Sequence, residues 1–123
     1  MLICGVPMKT DGMWTGEFAT TEGSFGGGVV LLDGERIIGG DSGYFYSGKV
    51  EFDPTASPAT IHAVVFVEPF LEGYESVFKT TGKSYTLDIT GKFMNEDVIV
   101  GYGVPVEFPE SRLSLRLSRK KVA

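Results

Sequence analysis

The sequence contains one cysteine, one histidine and no long apolar run. A single cysteine, Cys4, cannot form an intramolecular disulfide, so nothing indicates an oxidising compartment. Zinc sites usually combine several His and Cys ligands, and with only Cys4 and His62 available we expect no metal site. No stretch approaches the roughly 20 apolar residues of a membrane helix, and residues 1–12 lack the basic and apolar regions of a secretion signal. We therefore expect a cytoplasmic protein that does not contact the membrane.

Positive charge is scarce over most of the chain. Residues 1–111 carry six basic and 16 acidic side chains, whereas residues 112–121 carry five basic ones and no acidic one. An acidic body disfavours direct nucleic-acid binding, which depends on contacts with phosphates. It suits a basic protein partner instead. We expect the basic last strand to pair with the first strand, with Arg112 and Arg116 facing Glu17.

Glycine is abundant, with 17 residues in a chain of 123, while runs of helix-favouring residues are nearly absent. Apolar and polar residues alternate with period two in segments separated by short turn signals, which is typical of β-strands. Asp33-Gly34 is a two-residue hairpin signal and Asn95-Glu96 a turn signal. Residues 69–80 break the alternation and leave room for at most one short helix. The predicted strands are 12–20, 25–32, 35–40, 43–52, 60–68, 83–93, 97–103 and 112–119.

Each of these eight segments has one apolar and one polar face, so one side of the sheet faces a core and the other faces water. No amphipathic helix is long enough to cover the apolar side, and the sheet must therefore cover itself. Up-and-down closure is the simplest solution and removes the exposed edges. We predict a single all-β domain, an eight-stranded antiparallel barrel over residues 11–119. A flexible N-terminus at residues 1–10 and a basic tail at residues 120–123 complete the chain.

No catalytic arrangement is recognisable in the sequence. Gly26, Gly27 and Gly28 lead into more strand rather than into a helix, and no Lys-Ser/Thr follows, so they do not form a phosphate-binding loop. They better indicate a point where a strand bends or another chain approaches closely. A Ser-His-acid triad would require His62, which lies on the polar face of its strand and is interpreted as a surface residue. We expect a protein that is not an enzyme and has no cofactor.

The interior of the predicted barrel is the remaining place for function. Small eight-stranded barrels either fill their centre with side chains or hold one small ligand. Aromatic residues at strand spacing are candidates to line or plug it, and the sequence leaves a packed and a hollow interior both open. These candidates are Trp14, Phe18, Tyr44, Tyr46, Phe66, Tyr85 and Tyr102.

Glycines and aromatic residues of the first 50 positions form a pattern. It consists of a DG-aromatic opening, a G-x-G strand, a G-x-(I/L)-x-G-G-D turn and a Y-x-G closing the next strand. The matching positions are Asp11, Gly12 and Trp14; Gly26 and Gly28; Gly34, Ile37, Gly39, Gly40 and Asp41; and Tyr46 and Gly48. In these positions the chain resembles the GrlR-like negative regulators of type III secretion.

This resemblance implies a calycin-like or lipocalin-like barrel with a short helix, a hydrophobic interior and a homodimeric state. It also implies a non-enzymatic regulator that sequesters a transcriptional activator by binding its DNA-contacting region. The family's acidic run after the Y-x-G strand is reduced to Asp53 here, so Asp53 alone is carried over as a partner-binding position. The alternative function is a carrier of a small apolar ligand in the barrel interior.

The GGDSG segment is expected to be structural. We predict that Gly39 and Gly40 form the turn between the third and fourth strands. Asp41 is expected to accept hydrogen bonds from backbone N–H groups in that turn.

Overall fold

A computed structural model of the chain describes residues 2–3, 6–7, 10–21, 23–73, 76, 78 and 83–121. Cys4 and part of the segment 69–80 lie outside these ranges. Within them the chain forms strands and no helix, and no helix there is long and apolar enough to span a membrane. The strands are β1 Leu2–Ile3, β2 Val6–Pro7, β3 Gly12–Thr20, β4 Phe25–Asp33, β5 Arg36–Gly40, β6 Tyr44–Asp53, β7 Thr60–Pro69, β8 Tyr85–Asn95, β9 Val98–Pro105 and β10 Leu113–Lys120.

Strands β3 to β10 form a closed barrel in which each strand pairs antiparallel with the next, and β10 returns to pair with β3. The predicted all-β, eight-stranded up-and-down barrel is thereby confirmed. Within the range predicted to be a flexible N-terminus, β1 pairs with β2 as a separate two-stranded sheet. The barrel extends one residue beyond the predicted boundary at 119, because Lys120 is still paired with Met13 in β10.

Two arginines predicted to face Glu17 across the β10–β3 seam have different surroundings. Arg116 lies directly opposite Glu17, as the charge pattern predicted. Arg112 does not face Glu17, because its guanidinium lies 4.0 Å above the ring of Tyr102. A guanidinium stacks favourably on an aromatic face, so part of the basic strand serves cation–π contacts rather than ion pairs.

Both predicted tight turns lie one residue further along the chain than expected. Asp33 still pairs with Arg36, so residues 34–35 form the loop between β4 and β5. Gly34 takes the positive φ of +61° that this loop requires, and glycine adopts such a φ without steric cost. Similarly, Asn95 is the last residue of β8 rather than part of the turn. The predicted turn positions were wrong by one residue because Asp and Asn are favoured both within turns and immediately before them.

Gly39 and Gly40 do not form the turn between β5 and β6, contrary to the prediction. Both are paired within β5, and the connection consists of residues 41–43. Neither is among the glycines with positive φ. A Cβ atom on Gly39 would overlap the carbonyl oxygen of Val29 and lie 2.8 Å from the Cα of Val30. Glycine is needed here because the neighbouring strand approaches closely, not because the chain turns.

Alternation along the strands separates an inner from an outer face. Two of the interior candidates, Phe66 and Tyr102, face outward, with 43% and 41% of their surface exposed. Phe66 alternates with Val65 and Val67, which are both buried, so the period-two rule itself puts the ring outside. The other interior candidates lie on inward-facing positions and are described next.

Candidate ligand site inside the barrel

The barrel encloses a cavity of about 230 Å³. All eight barrel strands contribute to its wall, which is mainly aliphatic, aromatic and glycine. Among the lining residues, Leu32 and Ile99 are almost completely buried, whereas Phe18 and Tyr46 are only partly buried and lie toward the opposite end of the barrel. The interior is therefore partly hollow and not filled with side chains.

Three inward-facing glycines, Gly16, Gly26 and Gly28, line this hollow and leave space in it. Some of the vacated space is occupied by neighbouring rings: a Cβ on Gly26 would overlap the ring of Phe18, and a Cβ on Gly28 would lie 3.1 Å from the Tyr46 hydroxyl. The glycine run in β4 thus makes room for rings from β3 and β6, and the rest of the space remains as the cavity. The other inward-facing glycines do not line the cavity; they are Gly39, Gly48, Gly91, Gly101 and Gly103.

One end of the barrel is plugged, and we call it the closed end. Trp14 is fully buried here and does not line the cavity. Its indole N–H donates to the carbonyl oxygen of Thr10 at 2.9 Å, and its ring meets Phe93 edge-on with centroids 6.3 Å apart. Phe52 packs on Phe93, and the guanidinium of Arg119 covers the indole at 4.4 Å. The connections at this end are residues 34–35, 54–59 and 96–97.

The cavity reaches the surface at the opposite end, the open end. Phe25 borders the cavity although 83% of its surface is exposed, and the exposed Ser42 borders it too. Phe78, Tyr85 and Phe108 form an edge-to-face cluster with centroids 5.5 to 5.7 Å apart, and Tyr85 of this cluster lines the cavity. The connections at this end are residues 21–24, 41–43, 70–84 and 106–112.

The charged or hydroxyl-bearing side chains among the described cavity-lining residues all lie at the open end. They are Asp41, Ser42, Tyr44, Tyr46, Ser76 and Tyr85. The Asp41 carboxylate organises this group: Oδ1 accepts the backbone N–H of Gly43 at 3.0 Å and that of Tyr44 at 2.9 Å, the role expected from the sequence. Its Oδ2 accepts the hydroxyl of Tyr46. The hydrogen bond between Tyr46 and Asp41 was not predicted from the sequence, and it links the β5–β6 turn to the cavity wall.

Burial raises the pKa of the Tyr46 hydroxyl above its ordinary value, and the hydrogen bond to Asp41 and the negative charge of that carboxylate raise it further. Burial also raises the pKa of Tyr85, and the hydroxyl of Tyr44 and the charge of Asp41 act in the same direction against a lowering hydrogen bond with Ser76. Both hydroxyls are therefore neutral at physiological pH.

Two other residues singled out in the sequence lie away from the cavity. Asp53 is at the closed end, where its Oδ1 accepts the backbone N–H of Thr55 at 2.9 Å and the Thr55 hydroxyl at 2.6 Å. These bonds lower the pKa of Asp53 and fix the turn after β6. His62 is exposed on the outer wall, with Nε2 2.6 Å from Oδ1 of Asp88. In the described part of the chain no group of three His, Cys, Asp or Glu residues is placed to hold a metal ion.

The outer wall carries a second notable feature, an apolar face across β4 to β7. Val29 and Phe45 lie in one cross-strand row with Gly40 of β5 between them. Leu31 and Phe66 lie in another row, with residues of β5 and β6 between them. Val64 extends the face along β7. These five side chains, which we call the outer apolar face, are 38 to 45% exposed. Apolar patches of this kind often mark contacts with other macromolecules.

No protein-family model matches the sequence, and a search of curated proteins gives no significant match. The site is therefore interpreted from its own chemistry, with the GrlR-like resemblance as an expectation beside it.

Proposed function

We propose that this protein is a non-enzymatic binding protein that holds a small apolar molecule inside its barrel. The observation that supports this most is the cavity of about 230 Å³, with an apolar and glycine wall and access at the open end. An apolar cavity of about 150 Å³ binds benzene, and pockets for drug-sized ligands begin near 300 Å³. The expected ligand is therefore about the size of one substituted aromatic ring.

The energetic cost of an unfilled interior also favours a ligand. Closed cavities created in protein cores cost about 24 cal/mol per Å³, which sets an upper limit of about 5.5 kcal/mol for a hollow of 230 Å³ that opens to the surface. A bound apolar molecule recovers part of this by restoring van der Waals contacts with the wall. A protein whose function did not need the space would gain stability by replacing a cavity-lining alanine such as Ala63 with a larger residue.

Native mass spectrometry of protein purified without denaturation tests this function, and we expect an adduct of one small organic molecule. Toluene added at about 100 times its dissociation constant should stabilise the protein by about 2.7 kcal/mol, measured as a rise in melting temperature. Ala63→Leu fills the cavity and should abolish the rise. Val64→Leu changes the adjacent, outward-facing residue and should leave it intact. Absence of an adduct together with no response to toluene in the unsubstituted protein would contradict the proposal.

A second candidate function, regulation through protein binding, is supported by the outer apolar face. We propose that this face joins two copies of the chain, which leaves the remaining acidic surface for the basic DNA-binding activator expected from the GrlR-like resemblance. Light scattering should then give the mass of a dimer. Phe66→Lys should produce monomers, while Met94→Lys, at an exposed apolar residue of β8 outside the face, should not. A monomeric unsubstituted protein at micromolar concentration would rule out this use of the face.

A further inference from the structure

The negative charge of Asp41 at the open end has no positive counterpart among the described residues that line the cavity. Asp41 is the only acidic or basic residue among the described residues that line the cavity. Neither of the ion pairs recorded for the described part of the chain involves it. Two backbone N–H groups and one hydroxyl satisfy its oxygens as hydrogen-bond acceptors but bring no positive charge. A half-buried carboxylate beside an apolar cavity attracts a cation, because burial strengthens electrostatic attraction.

Three tyrosines line the same end of the cavity as Asp41. Tyr46 donates its hydroxyl to Asp41, Tyr44 follows the Asp41 turn directly and donates its backbone N–H to it, and Tyr85 comes from β8. Aromatic rings attract cations through their negative faces, and clusters of aromatic residues recognise ammonium groups in this way. A carboxylate and several tyrosines at one end of an apolar cavity therefore have the composition of an ammonium site.

We propose that the ligand is a small apolar amine, bound as its ammonium ion with the charged group beside Asp41 and the apolar body toward Leu32 and Ile99. This inference rests on the proposed function of the interior as a ligand site. An anionic head group would meet the carboxylate with no cation on the described wall to offset the repulsion. A neutral hydroxyl would gain one hydrogen bond to Asp41 but neither the charge attraction nor the cation–π attraction.

The test compares three ligands with the same ring and different head groups: toluene, benzyl alcohol and benzylamine, the last protonated at pH 7. Calorimetric titration into the unsubstituted chain measures the three dissociation constants, so the result does not depend on a variant that folds. We expect benzylamine to bind about 10 to 100 times more tightly than toluene, since a charge-assisted hydrogen bond and cation–π contacts are added. Benzyl alcohol should fall between the two.

Asp41→Asn removes the charge while keeping a side-chain oxygen for the turn. In this variant the advantage of benzylamine over toluene should fall below about threefold. Asp53→Asn is the matched control: Asp53 also accepts hydrogen bonds in a turn, but it lies at the closed end, and the advantage should persist. Persistence of the full advantage in Asp41→Asn would overturn the assignment of Asp41.

The remaining outcomes separate this inference from the proposed function. Binding of toluene with no tighter binding of benzylamine would overturn the ammonium site and leave the interior as an apolar ligand site. Equal affinities for benzyl alcohol and benzylamine would likewise overturn the role of charge. Failure of all three ligands to bind would overturn both the inference and the proposed function.

Discussion

Replacing Gly101 with alanine is expected to destabilise the barrel strongly. Gly101 faces inward on β9 and pairs with Gly91 of β8 and Leu115 of β10. A Cβ atom at this position would overlap the carbonyl oxygen of Thr90 and lie 2.7 Å from the Cα of Gly91. Both of these are backbone atoms, so no side-chain rotation relieves the overlap, and β8 must move away from β9.

The size of the effect follows from three contributions. Overpacking a core costs about 1 to 3 kcal/mol. A ladder hydrogen bond broken by the movement costs about 1 kcal/mol more. Restricting the unfolded chain by changing Gly to Ala offsets about 0.4 to 1 kcal/mol. The net loss should be about 1 to 3.6 kcal/mol, and its midpoint, about 2.3 kcal/mol, lowers the melting temperature of a chain of this length by roughly 10 °C.

Urea denaturation followed by the fluorescence of Trp14 measures the free energy of unfolding. Gly103→Ala is the matched control, on the same strand and the same face. The three atoms nearest to its Cβ would all belong to the Leu87 side chain, at 3.1 to 3.3 Å, and Leu87 borders the cavity and has space to move. This variant should lose less than about 1 kcal/mol. Equal stability of the two variants would refute the conclusion that the backbones of β8 and β9 exclude a side chain at Gly101.

Three further predictions concern single side chains. Trp14→Ala should lower the free energy of unfolding by about 3 to 5 kcal/mol in urea titrations, because a fully buried indole and its contacts are removed; a loss under about 1 kcal/mol would contradict its role as a plug. The pKa of Tyr46 is raised in the folded state, so its contribution is complete below the ordinary tyrosine pKa of about 10 and is lost as the pH rises above it. Tyr46→Phe should therefore lose stability less steeply above pH 10, and identical slopes would contradict this. The pKa of Asp53 is lowered in the folded state, so its contribution is present above about pH 4 and lost as the pH falls. Asp53→Asn should show a weaker loss of stability in acid, and unchanged acid denaturation would argue against the Thr55 hydrogen bonds.

The strand faces were predictable because alternation directly reflects burial. In β7 the residues Ile61, Ala63, Val65 and Val67 are all buried, as period two required. Closure of the barrel was predicted because the sequence contains no amphipathic helical segment long enough to cover the apolar side of the sheet. The predicted positions of the two tight turns were wrong by one residue, because the same polar residues are favoured immediately before a turn and within it.

The hollow interior was not predictable, although a signal was present. Gly26 and Gly28 share the parity of Val30 and Leu32, which marks them as inward-facing positions without side chains. Whether such gaps are filled depends on which residues meet across the barrel, and this is set by the stagger between strands, which alternation does not determine. The sequence also did not predict that Tyr85 and Ser76 line the same cavity as Asp41, because both are distant from Asp41 along the chain.

The tightly packed residues and the proposed ligand site lie at opposite ends of the barrel. The closed end packs Trp14, Phe93 and Phe52 under Arg119, while the open end carries the glycines of β4 and the group around Asp41. Glycine in a strand weakens it by about 0.5 to 1 kcal/mol relative to alanine, so the open end contributes less stability than a packed end would. A closed-end change such as Trp14→Phe should then lower the free energy of unfolding but leave the benzylamine-to-toluene affinity ratio unchanged. A change in that ratio would show that the plug and the ligand site are coupled through the cavity wall.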